Sequence, residues 1–219
     1  MKHLARTVAP ACLAVACSVA LLGSSAYAGL LNLTQSTPDI TSTFIAVSYT
    51  LPDDNGLFEA LGTASHLDFD GIDPPDHAIT DGSFHISITI DPLTGVPISG
   101  TLAITGTVAD VFTSGTLLTG TIDQLGFQDA GGDLFEFTFD VTGGDLAALY
   151  GAKAGVILDA QGSGFTGSFA SAFDNGLGFG VSDTFPLEPV PEPSTLLLAF
   201  TALGVILPAR RHWRRLKTA

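Results

Sequence analysis

Ser83-Phe84-His85-Ile86-Ser87-Ile88-Thr89-Ile90 alternates without a break, with Phe84, Ile86, Ile88 and Ile90 on one face and polar side chains on the other. Period two is the mark of a half-buried strand, because successive side chains of an extended chain point to opposite faces. Asp91-Pro92-Leu93-Thr94-Gly95 follows as a turn. The alternation then resumes from Ile98 to Val108, with Leu102, Ile104 and Val108 opposite Ser99, Thr101, Thr105 and Thr107. Two such runs around a Pro/Gly turn make an antiparallel hairpin. Leu134 to Val141 repeats the pattern, with Phe135, Phe137, Phe139 and Val141 inward and Glu136, Thr138 and Asp140 outward. Weaker strands are expected at Thr41–Thr50, Leu117–Ile122, Val156–Asp159 and Phe165–Ala170. One short helix is expected over Leu146–Tyr150, capped by Asp145 and stopped by Gly151. The class that follows is all-β, an antiparallel sandwich or jelly-roll occupying residues 29–185.

The two ends of the chain have a different character. Lys2 and Arg6 precede an apolar stretch from Val8 to Leu22, and Ala26-Tyr27-Ala28 supplies small residues at a cleavage site. That is a secretory signal peptide over residues 1–28, cut by signal peptidase after Ala28. At the other end, Pro186, Pro189, Pro191 and Pro193 space an extended linker, 186–193, before an apolar segment, 194–209. Arg210, Arg211, Arg214 and Arg215 dominate the tail, 210–219, and would hold it on the cytoplasmic side of a membrane. The apolar segment is 16 residues long, shorter than the roughly 20 of a comfortable spanning helix. A brief anchor suits a processing signal.

Val190-Pro191-Glu192-Pro193, the short hydrophobic segment and the arginine cluster resemble the PEP-CTERM sorting domain of exopolysaccharide-producing Gram-negative bacteria. The resemblance covers about thirty residues at the extreme C-terminus. It departs from the pattern at Pro208, which ends the apolar run early, and in the residues that continue past the arginines. It implies an exosortase-type protease that recognises and cuts the segment, with Val190, Pro191, Glu192 and Pro193 as the recognised motif and no catalytic role for this chain. It also implies association with extracellular polysaccharide.

Charge and cysteine content exclude several classes of function. The stretch from Asp39 to Glu192 carries all 22 acidic residues against a single basic one, Lys153, a net charge of about −21. Such a surface repels phosphate backbones, so no nucleic-acid partner is expected. Cys12 and Cys17 both lie in the signal peptide, so the domain holds no disulfide, thiol nucleophile or thiolate metal site.

The remaining motifs admit a functional and a plain reading. Gly162-Ser163-Gly164-Phe165-Thr166-Gly167 spells G-x-G-x-x-G but is followed by β-spaced residues where a dinucleotide site needs a helix, so a turn or bulge is expected. Asp68, Asp70, Asp73 and Asp76 crowd around Gly71 and could offer hard oxygens to Ca²⁺, although the spacing is only partly that of an EF-hand and no closing Glu follows. The plain reading is a solvated acidic loop. His66, His77 and His85 would form a transition-metal site only if brought together with a carboxylate. Asp133, Glu136 and Asp140 could supply a carboxylate pair for glycoside hydrolysis if they lined a cleft. The domain has no tryptophan, which leaves Tyr49 and Tyr150 as aromatic platforms for a sugar.

The sequence therefore points to an exported, non-enzymatic protein of the cell surface or extracellular matrix. It would be anchored in the inner membrane with its β-domain periplasmic, then released by processing. Its expected partners are signal peptidase, the exosortase-type protease, extracellular polysaccharide and, before processing, the membrane. No cofactor is expected. The alternatives are a Ca²⁺-dependent carbohydrate-binding module and an extracellular hydrolase.

Overall fold

The computed structural model describes residues 29–52, 54–71, 77–109, 111–128, 132–176 and 178–187. Among these residues nine strands and one helical turn follow in chain order: β1 (Asp39–Thr50), β2 (Gly56–Asp68), β3 (His77–Ile90), β4 (Pro97–Val108), β5 (Phe112–Phe127), β6 (Leu134–Gly143), α1 (Ala147–Tyr150), β7 (Lys153–Asp159), β8 (Phe173–Asp174) and β9 (Gly180–Pro186). Each strand from β1 to β6 pairs antiparallel with the next. β9 then pairs with both β7 and β1, which closes eight strands into an antiparallel barrel. β8 is an extra strand of two residues on β1.

The all-β class holds, but the architecture is a barrel and not the expected sandwich or jelly-roll. Alternation defines an inner and an outer face; it does not say whether the inner faces of two sheets meet or one sheet curls onto itself. Register shifts decide it. They interrupt six of the nine pairings, for example between Thr43 and Ala46, Thr80 and Ser83, and Ile122 and Gln124. Each bulge bends and twists its strand, and together they coil the sheet until its edges join.

The β3–β4 hairpin lies where the alternation placed it. Phe84, Ile86, Ile88, Leu102, Ile104 and Val108 are all buried. Its turn is locked by Asp91, whose Oδ1 accepts the N–H groups of Leu93 (2.8 Å) and Thr94 (3.3 Å). Gly95 closes it with a φ of 70°, the left-handed conformation that suits glycine.

The barrel interior is filled. Phe58 from β2, Phe127 from β5 and Phe135 from β6 meet Phe165, Phe169 and Phe173 from the chain that follows β7, and Phe137 from β6 packs on Phe58. The expected strand Phe165–Ala170 is instead irregular backbone, and its phenylalanines recur every fourth residue as a plug at one end. At the other end Leu146 and Tyr150 are buried, and the Tyr150 hydroxyl donates to the Thr184 carbonyl at 2.6 Å. The helical turn is shorter than expected, and Leu146 occupies its N-cap with no side-chain cap, so Asp145 does not serve there.

Candidate functional site

Residues 29–37 do not join the sheet. They cross the outside of β5 and β6 and cover side chains that alternation places outward. Glu136 and Thr138, expected in solvent, are 4% and 6% exposed. The Glu136 carboxylate accepts the N–H groups of Asn32 (2.8 Å) and Leu33 (3.3 Å). Beside this arm lies a groove of about 1030 Å³, with Leu31, Leu33, Leu149 and Leu187 on its walls and Asp123, Thr138 and Lys153 among its polar lining. Lys153 lies between Asp123 (2.7 Å) and Asp140 (2.8 Å). Its hydrogen bond to Asp123 is the main cause holding that carboxyl below the usual range, and the two acids together push the lysine up.

The three carboxylates considered for glycoside hydrolysis are thereby accounted for separately. Glu136 grips the arm and Asp140 pairs with Lys153. Asp133 accepts the Gly162 N–H (2.8 Å), the Ser163 N–H (3.0 Å) and the Ser163 hydroxyl (2.6 Å). Burial works to raise the Asp133 pKa, but the Ser163 hydroxyl and the Gly162 and Ser163 amides outweigh it and hold the carboxyl below its usual range. The G-x-G-x-x-G stretch is this anchored loop. Gly162, Gly164 and Gly167 all have positive φ (75°, 71° and 84°) and no helix follows them, so it is a turn as expected.

In the acidic loop, Asp68 Oδ1 accepts the N–H groups of Asp70 (3.0 Å) and Gly71 (2.8 Å), the local turn its side chain favours. Asp73 and Asp76 lie outside the described residues. His66 is exposed on β2, His77 meets the Phe69 ring edge-on at 5.5 Å, and His85 Nε2 stands 3.9 Å from Glu59. Among the described residues no three His, Asp or Glu side chains gather as a metal site.

Tyr49 and Tyr150 are not platforms. They are 1% and 2% exposed, and Tyr49 stacks on Phe173 inside the barrel at 5.2 Å. Among the described residues the aromatic rings offered to solvent are Phe44 (74% exposed) and Phe179 (57%), with Leu61 and Val181 also exposed on the strands flanking β1. Phe44 sits at the β1 bulge with a φ of 54°. A bulky aromatic rarely adopts that conformation, and here it holds an apolar ring in water. The sequence signal that could have found it is weak, since Phe44 reads as one more alternating apolar residue.

Ala26, Ala28, Val190, Pro191, Glu192, Pro193, Arg210, Arg211, Arg214, Arg215 and the segment 194–209 lie outside the described residues. Within the described residues no helix is long and apolar enough to cross a membrane. No family model matches the chain, and no curated protein or solved structure is significantly similar to it.

Proposed function

We infer that this is an exported, non-enzymatic protein of the cell surface or extracellular matrix, sorted and cut through its C-terminal segment by an exosortase-type protease. The observation that carries the reading is the order at the C-terminus: Val190-Pro191-Glu192-Pro193, a short apolar segment, then four arginines. The chain leaves β9 at Pro186 and Leu187 on the rim of the barrel, so the motif begins only a few residues from the domain surface. The separate engagements of Asp133, Glu136 and Asp140 also favour a binding over a hydrolytic role.

Processing tests it. With an epitope tag after Ala28, the wild-type protein in its native host is expected to be released and shortened by the C-terminal segment. A Pro191/Glu192/Pro193→Ala variant is expected to stay full-length in the membrane. If both remain full-length there, the motif is only a linker before a permanent anchor.

Contact with polysaccharide would fall on the Phe44–Phe179 patch, because aromatic faces stack on sugar rings and an acidic surface has no attraction for anionic groups. Replacing Phe44 and Phe179 together by Ala is expected to lower co-sedimentation with the host's exopolysaccharide several-fold at unchanged melting temperature. Equal retention would remove the patch from consideration.

A further inference from the structure

The arm 29–37 is held by contacts at both of its ends. Near its start, the Asn32 and Leu33 amides converge on Glu136, and Asn32 has a φ of 58°. Successive amides around a left-handed residue form a concavity that grips an anion. The crossing also depends on Gly126 beneath it. A Cβ there would come within 2.8 Å of the Gly29 carbonyl and the Leu31 backbone nitrogen. At the arm's far end the Ser36 hydroxyl donates to the Pro186 carbonyl at 2.7 Å, and the adjacent Leu187 N–H donates to the Lys153 carbonyl at 3.0 Å. One hydrogen bond thus joins the arm to the point where the chain leaves the barrel.

We propose that residues 29–37 are a releasable strap, latched on Glu136, whose docking holds the exit at Pro186–Leu187 and whose release loosens it. The strap lies outside the barrel's ladder, so it can open without unpairing a strand. Release also returns Glu136 to water. Its carboxylate is buried where the arm covers it, and among the described residues no cation pairs with it, so the two amides are what compensate its burial in the docked state. The linker beyond Leu187 is the segment that the processing reading requires a protease to reach. The strap's physiological sense rests on that reading; the coupling between arm and exit does not.

Native-state amide hydrogen exchange on the full-length chain in detergent micelles tests the coupling. Glu136→Gln weakens the latch, and Gly126→Ala displaces the arm sterically while leaving Glu136 in place. Either variant is expected to speed exchange at Asn32, Leu33 and Leu187 by about tenfold or more while Phe137 and Val156 in the barrel stay protected. If Asn32 and Leu33 accelerate and Leu187 does not, strap and exit are independent and the proposal fails. It fails equally if neither variant accelerates Asn32 and Leu33. Should Glu136→Gln also deprotect the barrel, Gly126→Ala decides between these outcomes. No processing event enters the measurement, so a failed sorting signal would leave its result unchanged.

Discussion

Phe135→Ala is expected to cost about 3–5 kcal/mol, read as a lower urea midpoint at unchanged slope. The Phe135 ring is fully buried and lies 5.0 Å from Phe165, 5.4 Å from Phe58 and 6.0 Å from Phe173. Those partners come from β2, β8 and the plug, so removing the ring opens a cavity that no single element can collapse to fill. Such a loss would consume much of the roughly 5–15 kcal/mol that stabilises a typical domain. Phe135→Leu keeps most of the volume and is expected to cost clearly less. Phe44→Ala, on the exposed patch, is expected to change stability by no more than about 0.5 kcal/mol. A Phe135→Ala loss as small as that would mean the plug does not pack on β6 as described.

Asp39→Asn is expected to stabilise the protein above pH 7 and to make little difference near pH 4. Asp39 is 5% exposed at the start of β1. Burial first, then Asp183 on β9 and Asp68 on β2, raise its pKa from an ordinary 3.8 to about 7, while the Gln35 amide opposes them. One of its oxygens, Oδ1, is buried and has no hydrogen-bond partner among the described residues. The folded state therefore holds a proton that the unfolded chain gives up near pH 4. The neutral form fits the fold, so stability is full below about pH 4 and falls as pH rises towards 7, where the folded group also ionises. Asparagine keeps the shape, accepts from Gln35 and never ionises. Melting curves of both proteins between pH 4 and 8 should diverge by several degrees at the alkaline end and converge at the acid end. Parallel curves would show that Asp39 is charged and solvated throughout.

Strands with large apolar residues on one face are legible in the sequence. β3, β4 and β6 lie where the alternation of Ile, Leu and Phe places them, and the turn at Asp91–Gly95 joins the first two as its residue types require. β2 and β9 are not legible in this way, for a physical reason. β2 buries the small Ala60 and Ala64, which give a weak alternation. β9 reverses the usual order, with Ser182 and Thr184 buried and Val181 exposed. Hydrophobic periodicity measures the side chain, while burial there is imposed by the neighbouring strands.

The acidic side chains make the same point about function. Asp133, Glu136 and Asp140 look alike as a spacing in the sequence, yet one anchors a loop, one latches the arm and one pairs with Lys153. Each partner lies more than ten residues away along the chain, and no local pattern encodes such a distance. By itself the sequence determined the all-β class, the hairpin, the acidic and cysteine-free character of the domain, and the terminal segments on which the sorting proposal stands. These are sums or short-range patterns of residue chemistry. Barrel closure, the phenylalanine plug, the burial of Glu136 and the exposure of Phe44 were decided only by the tertiary structure, because each depends on which distant segments meet.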